Sequence, residues 1–363
     1  MIAIDLAPQV LAPRRGVARA LGTLLEALAR SPQAGEAWTG FLPSTPGMVP
    51  PPWPAGLPGG ARALGAGRRG SWRRALAQAA EAAGADVLLV PYTAIPRTRL
   101  PVVAWVHEVP WHRHGALEGS LRTARHAAAL ARVAQRAAGV VVPSHAVAED
   151  VRAVHPALAS RLRVVAHGFT PAAPEPSLPR DGGLLLLGSG RGAGGARKKG
   201  VDLFLRLLAD PRLAGWTGTL VGEPGRRLAP AAAALGSRLV VLHEPSDPAV
   251  QAELARARLL LVPSRSEGFG FPVLEGFAAG VPVLASRAGS LPEVAGGAAL
   301  LLPPGEPDAW VAGVLRMEGD EALRARLVAA GRVRAGEFPL AAMAAGWRAA
   351  LQQAVLRASG ERA

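Results

Sequence analysis

The sequence predicts an α/β fold divided into two parallel-sheet domains. A chain of 363 residues is long enough for two domains, and 50% of its residues are hydrophobic, which allows sizeable cores. Short, continuous apolar segments such as 259–262 alternate with helical patterns along both halves. Such segments are typical of parallel strands that helices cover on both faces. Glycine-rich turns stand between strand and helix at 188–200 and 268–270, and α/β sheets bind ligands at such turns.

The composition narrows the classes of partner. The formal net charge is +14 and arginine far outnumbers lysine, so the surface should attract polyanions, anionic membranes or phosphorylated ligands. There is no cysteine, which excludes disulfides and thiol zinc sites. The start does not resemble a secretory signal peptide, because Asp5 interrupts its apolar run and Arg14 and Arg15 follow that run. No apolar run reaches the roughly 18 residues of a membrane-spanning helix.

The first half predicts strands and helices in alternation. Residues 1–6 should form the first strand and 9–15 a loop, and Gly16 should begin a helix to about residue 30 with one leucine-rich face. Segment 42–60 is rich in Pro and Gly and should lack regular structure. It would be an acceptor-binding loop or an ordinary surface loop. Further strands are expected at 86–90, 102–106, 139–142 and 161–166, and a long helix at 117–137.

A basic segment begins the helix expected to end near residue 83. Arg68, Arg69, Arg73 and Arg74 surround Trp72 there. A basic helix with an interfacial Trp suits an anionic membrane surface. The same composition would also serve a nucleic acid, or no ligand at all.

Polar side chains follow the strand predicted at 102–106. His107 and Glu108 stand at its end, and Trp111 to His114 should form a loop after it. Residues at strand ends are well placed for function, although a lone His is more often structural. A metal site formed by His107, His112 and His114 is a poor interpretation, because no carboxylate or Cys spacing completes it.

The second half opens with a linker and a phosphate-binding pattern. Segment 171–181 contains four prolines and should be the linker. A strand at 183–187, the basic glycine-rich loop 188–200 and a helix at 201–209 then form an arrangement that cradles phosphates. It is not a Walker-type loop, because no Ser or Thr follows Lys199. Later strands are predicted at 217–221, 238–242, 281–285 and 298–302, and helices at 247–257, 308–316, 321–334 and 341–357.

The strand at 259–262 leads into the most informative stretch. Gly268 and Gly270 permit a tight turn, Pro272 suits the first turn of a helix at 273–279, and Gly280 is a plausible C-cap. In a parallel sheet this turn lies at the carboxyl ends of the strands. The helix amides near Val273 and Leu274 would suit a phosphate.

Two glutamates frame this turn, with Glu267 before the helix and Glu275 expected in its first turn. They would each meet a hydroxyl-rich part of one ligand, with a phosphate between them, as in a ribose and a second sugar joined by a diphosphate. An acidic residue near a helix N-terminus is also favoured by the dipole alone. The spacing by itself is weak. The glycines, the proline and the flanking strands make the pattern specific.

The stretch Ser264 to Gly280, continued through 281–286 and 289–294, resembles the donor-site signature of the retaining family 4 glycosyltransferases. The resemblance implies the GT-B fold, in which two Rossmann-like, doubly wound parallel-sheet domains face each other across a cleft. It implies an acceptor-side domain at 1–170, a linker at 171–181 and a donor-binding domain at 182–340. A C-terminal helix at 341–363 would pack back on the first domain.

The resemblance also implies residue roles. Glu275 would hold the ribose, and Glu267 with the amides around Phe269 to Phe271 would hold the donor sugar. Lys199 and Arg191, or Arg197 in place of Arg191, would contact the diphosphate. The remaining implied positions are His107 beside the donor sugar, His243 near the base, and Gly16, Arg19 and Trp111 on the acceptor side. Two positions depart from the family pattern, because Ala18 replaces a usual glycine and Glu108 a usual Asp.

The implied activity is transfer of a hexose from GDP-mannose or UDP-glucose to a hydroxyl of a glycan or lipid-linked acceptor, in bacterial cell-surface polysaccharide or glycolipid synthesis. No cofactor or metal is expected, since no Asp-x-Asp pattern occurs. The resemblance and the charge together suggest a cytoplasmic protein, with peripheral contact to the inner face of the membrane.

Three alternatives stay open at this point. A sugar-nucleotide epimerase of similar fold would hold the same diphosphate without transferring the sugar to an acceptor. A phosphorylase would need a lysine-bound pyridoxal phosphate, and Lys is scarce. A nucleic-acid binder would explain the charge, but no interleaved aromatic platform or helix-turn-helix pattern supports it.

Overall fold

The described part of the chain forms two units, each built on a parallel sheet. The computed structural model describes residues 1–12, 16–44, 50–65, 69–109, 111–112, 120–171, 180–188 and 195–360. Unit 1 comprises Met1–Val109, Leu121–Phe169 and Phe338–Ala363, and unit 2 comprises Pro110–Ser120 and Thr170–Glu337.

Unit 1 contains a seven-stranded sheet in the order β3-β2-β1-β4-β5-β6-β7, with every pair of neighbours parallel. Its strands are β1 (Ile2–Asp5), β2 (Trp38–Ser44), β3 (Gly59–Gly65), β4 (Val87–Val90), β5 (Val102–Trp105), β6 (Gly139–Val142) and β7 (Leu162–Val164). Its helices are α1 (Ala7–Leu11), α2 (Gly16–Ala29), α3 (Arg69–Ala82), α4 (Ser120–Arg136), α5 (His145–Val154) and, from the end of the chain, Leu340–Gly360.

Unit 2 contains a six-stranded parallel sheet in the order β10-β9-β8-β11-β12-β13. Its strands are β8 (Leu184–Leu187), β9 (Gly218–Val221), β10 (Leu239–Leu242), β11 (Leu259–Val262), β12 (Val283–Ser286) and β13 (Leu300–Leu302). Its helices are α6 (Gly195–Lys198), α7 (Val201–Ala209), α8 (Ala229–Ala234), α9 (Asp247–Arg256), α10 (Phe271–Ala278), α11 (Leu291–Ala295), α12 (Pro307–Gly319) and α13 (Glu321–Ala335). The last helix of the chain, Leu340–Gly360, is α14.

Both sheets follow the doubly wound strand order. In each, the first three strands run outward in one direction and the later ones in the other, so the order reverses between β1 and β4 and between β8 and β11. Ligands of such sheets bind at the carboxyl ends of the strands beside this reversal. The predicted α/β class with doubly wound parallel sheets is confirmed.

The apolar patterns explain the cores. Every residue of β4, β5, β6 and β11 is buried, as expected for strands with helices on both faces. The leucine face predicted for α2 is also buried, because Leu21, Leu24, Leu25 and Leu28 are at most 3% exposed.

The prediction for 42–60 was wrong at both ends. β2 continues to Ser44 and β3 begins at Gly59, and the two strands pair from Trp38↔Gly59 to Ser44↔Gly65. Residues 45–49 lie outside the described ranges. Pro43 and the Gly- and Ala-rich β3 conceal these strands, because Pro, Gly and Ala are depleted in strands. The loop predicted at 9–15 was also wrong in part, since α1 occupies Ala7–Leu11.

The segment predicted as a linker enters unit 2 at Arg180. Residues 172–179 lie outside the described ranges, so this linker stays a prediction. The Arg180 guanidinium donates to carbonyl oxygens at the ends of α9 and α10, at 2.8–3.3 Å. Helix ends leave such carbonyls without helical partners. Arg180 therefore fastens the start of unit 2 to the helix that carries Glu275.

The C-terminal helix α14 completes unit 1. Trp347 is fully buried, and its ring lies 4.6 Å from that of Trp105. Arg348 forms a bidentate ion pair with Glu36 at 2.6 and 2.9 Å and also donates to the Ser31 carbonyl. Among the described helices, none combines the length and apolarity needed to cross a bilayer.

A substitution at Gly183 tests the close packing at the start of β8. A Cβ at this position would lie 2.0 Å from the Thr217 carbonyl oxygen, which no rotamer change can relieve. We expect Gly183→Ala to destabilise unit 2 by about 1–3 kcal/mol, the usual cost of overpacking. Calorimetric melting of the variant checks this.

The matched control is Gly215→Ala, because no atom lies within 4 Å of its Cβ position. It should leave the melting temperature unchanged or raise it slightly. Equal melting temperatures for the two variants would contradict the packing described here.

Candidate functional site

Two loops of unit 2 meet at the carboxyl ends of β8 and β11. These strands are neighbours, with Leu184 beside Leu259 and Leu186 beside Leu261. After β8 the chain passes through residues outside the described ranges to α6, Lys199 and Gly200. After β11 it passes through Pro263 and Ser264 to the glycine-rich turn that follows Glu267.

Lys199 and Glu267 form an ion pair between the two loops. The Lys199 Nζ donates to the Glu267 Oε1 over 2.6 Å, and the Ser264 hydroxyl donates to the same oxygen over 2.8 Å. The Glu267 side chain is 10% exposed and that of Lys199 is 30% exposed. Two residues that the sequence placed in one site are therefore in direct contact.

The electrostatics keep Glu267 ionised. Burial raises the pKa of its carboxyl, but the charge and hydrogen bond of Lys199, the charge of Lys198 and the Ser264 bond together lower it below the ordinary value. The site thus holds a carboxylate that accepts hydrogen bonds beside two cations. Such a pair can bind a ligand that carries both hydroxyls and phosphate oxygens.

Close backbone packing fixes both loops. Gly200 has a φ of 73°, and a Cβ there would lie 2.3 Å from the Pro263 carbonyl oxygen, so the loops touch at a position that only glycine permits. The Ser290 hydroxyl donates to the Phe269 carbonyl at 2.7 Å and contacts the Glu267 carbonyl at 3.1 Å. The turn that carries Glu267 is therefore held from two sides.

Helix α10 begins two residues earlier than predicted. Gly270, with a φ of 108°, is its N-cap, and this left-handed conformation lets the helix start at Phe271 with Pro272 in the first turn. Glu275 consequently lies beyond the first turn, which corrects that part of the prediction. The Val273 N–H donates to the Gly270 carbonyl at 3.0 Å, so the free amide expected there is engaged within the turn.

The other predicted positions in unit 2 differ in how far their side chains are buried. Gly268 and the side chains of Val273 and Leu274 are buried, and Phe269, also buried, meets the Phe271 ring edge-on at 5.3 Å. His243 is exposed just after β10, and Trp111 is partly buried in the segment grouped with unit 2. Arg191 lies outside the described ranges, so its contact with a diphosphate stays a prediction.

His107 stands at the end of β5 in a mixed aromatic cluster. Its ring stacks on Trp105 at 4.7 Å and lies 6.0 Å from the ring of His167. Its Nε2 lies 3.1 Å from the Pro91 carbonyl oxygen, which can only accept, so Nε2 carries the proton. Burial lowers the pKa of His107 to about 4, although the Pro91 bond and the Glu108 charge raise it. The imidazole is therefore neutral, with an Nδ1 lone pair.

Arg19 contributes charge to the same cluster. Burial lowers the pKa of His167 well below its ordinary value, and the electrostatic interactions with His107 and Arg19 lower it further. Arg19 is exposed on α2, which begins at the exposed Gly16. The predicted residues Arg19 and His107 thus lie in one region of unit 1, and their acceptor and donor roles stay predictions.

Asp5 is a buried carboxyl that sequence reasoning did not assign to a site. It accepts hydrogen bonds from the Tyr92 hydroxyl, from the Ala7 N–H at 2.9 Å and from the Trp72 indole at 3.4 Å. Burial raises its pKa to about 6, and these three bonds oppose the rise. Trp72 is 6% exposed, so the interfacial membrane role predicted for it was wrong. A polar residue at the end of an apolar first strand was the available signal.

Arg265, Asp202 and Ser264 are further residues that sequence reasoning passed over. All three contact the two loops around Lys199 and Glu267. Ser264 was named only as the first residue of the donor-site signature, without a role of its own. Within the described ranges no cluster of three or more His, Asp and Glu side chains is arranged to hold a metal ion.

The fold and this site define a class of protein, namely two-unit α/β proteins with doubly wound parallel sheets and a ligand loop beside the strand-order reversal. The family described as Glycosyl transferases group 1 matches residues 184–320, and Glycosyltransferase Family 4 matches residues 14–172. Together these matches cover most of the chain. The chain belongs to the group 1 and family 4 glycosyltransferases.

Individual relatives support this placement. The O-antigen chain mannosyltransferase B of Escherichia coli is 43% identical over 84 residues, which span 23% of this chain and 22% of that protein. Sucrose-phosphate synthase from Thermosynechococcus elongatus superposes with a TM-score of 0.77 at 19% identity over 97% of this chain and 98% of that one. Anabaena HepE, in complex with UDP and glucose, gives 0.72 at 18% identity over 97% and 99%. The two structures confirm the GT-B type of fold.

The Asp5 carboxyl predicts a pH dependence of stability. Its folded pKa is about 6 against an ordinary 3.8, so its contribution to stability is present below about pH 3.8 and is lost as the pH rises through about 6. We expect wild type to lose about 2 kcal/mol relative to Asp5→Asn between pH 4.5 and 7.5, since each pKa unit corresponds to about 1.36 kcal/mol. Urea unfolding at both pH values measures the difference.

Wild type is compared with Asp5→Asn at each pH because the titration of His107 changes the stability of both proteins in the opposite direction. Its lowered pKa gives stability that is present above about pH 6.5 and is lost as the pH falls through about 4. This contribution is common to both proteins and cancels in the difference. A difference that does not change with pH would contradict the assignment to Asp5.

Proposed function

We propose that this chain is a retaining glycosyltransferase that moves a hexose from a nucleoside diphosphate sugar to an acceptor hydroxyl. The observation that carries the proposal is the Lys199–Glu267 ion pair at the carboxyl ends of β8 and β11. It places a cation for a diphosphate beside a carboxylate for sugar hydroxyls, in the loops that the family signature marks. Family membership supports the same reading.

The rarity of lysine in this chain supports the proposed contact between Lys199 and a diphosphate. The sequence contains two lysines, Lys198 and Lys199, and all its other basic side chains are arginine or histidine. A lysine ammonium is a compact point charge on a flexible stem, which suits a phosphate group that must be reached and released. In the proposed complex Lys199 donates to a diphosphate oxygen, and Arg191 or Arg197 supplies the second cation.

The two glutamates bind different parts of the donor in the proposed complex. Glu267 accepts hydrogen bonds from donor-sugar hydroxyls, because it stays ionised. Lys199 and Ser264 both donate to its Oε1, so the sugar hydroxyls would donate to Oε2. Glu275 lies on α10, partly exposed, and holds the ribose hydroxyls. His243 lies near the base. The neutral His107 keeps the role that the family resemblance implies for it, beside the donor sugar.

The proposed reaction proceeds on one face of the donor sugar, as the family resemblance implies. The bond between the anomeric carbon and the leaving phosphate oxygen breaks, and a bond from that carbon to the acceptor oxygen forms on the same face. The acceptor proton passes to the leaving phosphate, so no separate general base is required. Lys199 and the loop cations stabilise the charge that develops on the diphosphate, a term that is usually large in such reactions. These cations take the place of a metal ion.

Two donors fit the relatives. The name of the Escherichia coli relative, a mannosyltransferase, supports GDP-mannose, and the UDP and glucose in the HepE structure support UDP-glucose. The proposed acceptor is a hydroxyl of a glycan or of a lipid-linked glycan, in cell-surface polysaccharide or glycolipid synthesis.

Nucleotide binding without metal tests the donor site. We expect GDP or UDP, at about 100 times its Kd and with EDTA present, to stabilise the chain by roughly 2.7 kcal/mol in thermal melting. ADP and a short single-stranded DNA serve as comparison ligands. Glu275→Ala should abolish the shift, and Lys199→Met should reduce it.

Glu318→Ala is the matched control, since Glu318 is exposed on α12 and should keep the full shift. Stabilisation by DNA alone would refute the transferase. Stabilisation only when a divalent metal is supplied would refute metal independence. Turnover of GDP-mannose or UDP-glucose to nucleoside diphosphate only when an acceptor is present would exclude an epimerase.

We further propose that α4 contacts an anionic membrane surface, where a lipid-linked acceptor resides. The helix carries no carboxylate, and Arg122, Arg125, Arg132 and Arg136 are exposed along it. Leu121 is 65% exposed at its start. A basic face with an exposed apolar residue suits the interface of an anionic bilayer. This surface takes the place of the one predicted around Trp72.

Vesicle co-sedimentation tests this contact. Each surface cation contributes about 1 kcal/mol to binding, so Arg125→Glu with Arg132→Glu should weaken binding to phosphatidylglycerol vesicles by at least about 30-fold. The control pair Arg316→Glu and Arg326→Glu changes the net charge equally on exposed positions of unit 2. Equal losses in both pairs would show a response to net charge alone and would refute a role for α4.

A further inference from the structure

Arg265 joins the two loops of the candidate site without belonging to the set of groups assigned to the ligand. Its guanidinium donates to both carboxylate oxygens of Asp202, at 2.7 and 2.9 Å, and to the Arg197 carbonyl at 2.5 Å. Its own N–H donates to the Lys198 carbonyl at 2.8 Å. One residue of the β11 loop therefore holds the chain on both sides of Lys199.

The geometry of the pair is that of a positioning device. The two side chains are 18% and 16% exposed, and the parallel bonds match the planar fork of arginine to a carboxylate. Asp202 lies in the first turn of α7, three residues after Lys199, and Arg197 lies two residues before it. The guanidinium is occupied by these acceptors, so its effect on a ligand passes through the backbone of Lys199.

The stretch 263–267 also holds the Lys199 side chain in position. Arg265 stands two residues before Glu267, and Pro263, two residues before Arg265, packs against Gly200. The backbone of Lys199 and the carboxylate that receives its ammonium are consequently fixed to one short stretch, 263–267. Replacing the Arg265 side chain removes the bonds to Asp202 and to the Arg197 carbonyl, while the Gly200 contact and the backbone bond to the Lys198 carbonyl remain.

We propose that Arg265 and Asp202 act as a positioning pair that places the Lys199 ammonium for the diphosphate of the donor. This inference rests on the proposed function, since it names what sets the affinity of that site. An ion pair with a purely structural role would instead change the stability of the protein and leave ligand affinity unchanged. The two accounts differ in whether the effect of an Arg265 substitution on nucleotide affinity depends on Lys199.

A double-mutant cycle with Lys199 decides between these accounts. We expect Arg265→Gln and Asp202→Asn each to raise the Kd for GDP or UDP about tenfold, which is within the coupling range of residues in one network. Their combination should cost no more than either alone. In a Lys199→Met background Arg265→Gln should change the Kd less than about twofold. Isothermal titration of the full chain measures these values.

The matched control is Arg258→Gln, which removes the same charge and an ion pair with Glu318 elsewhere in unit 2. It should leave the Kd unchanged. A wild-type Kd in Arg265→Gln, or the same loss with and without Lys199, would overturn the proposal. Melting of each variant without ligand verifies that it is folded.

Amine labelling provides a test that needs no nucleotide. Lys198 and Lys199 are the chain's two lysines, so mass spectrometry resolves their reactivity directly. Arg265→Gln should increase the labelling of Lys199 relative to Lys198, because its ammonium is no longer held on Glu267. An unchanged ratio would overturn the positioning role. If wild type binds none of the nucleotides, the proposed function fails, while this ratio still decides what Arg265 does.

Discussion

The ion pair between Lys199 and Glu267 is the constraint on which the donor-side architecture depends. A carboxylate that is 10% exposed stays ionised only if cations and hydrogen-bond donors compensate for its lost hydration. That compensation requires two loops, from two different strands, to meet within hydrogen-bonding distance. The parallel pairing of β8 with β11, the Gly200 contact with Pro263 and the Arg265 bonds all serve that requirement.

Burial acts on three titratable groups here, and the neighbours decide the outcome. Glu267 has two lysines nearby and remains a carboxylate. Asp5 has a tyrosine, a tryptophan and a backbone amide as donors but no compensating cation among the described residues, and its pKa rises to about 6. His107 loses its proton readily and presents a neutral ring. Unit 2 therefore presents an ion pair at the carboxyl ends of its strands, whereas unit 1 presents the neutral His107 and the Asp5 carboxyl, whose ionisation depends on pH.

The sequence predicted the six strands of unit 2 well, because they are short apolar runs, but it did not predict the helices α8 and α11. β11 and α7 were predicted to the residue, and the glycine turn between Glu267 and Gly270 was located by its composition. The start of α10 was not predictable, since it depends on the left-handed conformation of Gly270. β2 and β3 were missed because Pro43 and a Gly- and Ala-rich edge strand carry no strand signal. Asp5 and Arg265 could not be assigned, because their roles arise from partners 87 and 63 residues away.

The C-terminal helix has a consequence for the order in which a ribosome delivers this protein. Domains commonly fold during synthesis with the N-terminal one first. Unit 1, however, is complete only after Leu340–Gly360 has been synthesised, since Trp347 fills its core and Arg348 forms the ion pair with Glu36. Unit 2 ends at Glu337 and has all its residues before that helix emerges. The nascent chain thus carries an unfinished N-terminal half past a finished second half, and its exposed β4–β6 face needs protection for as long as unit 2 takes to be made.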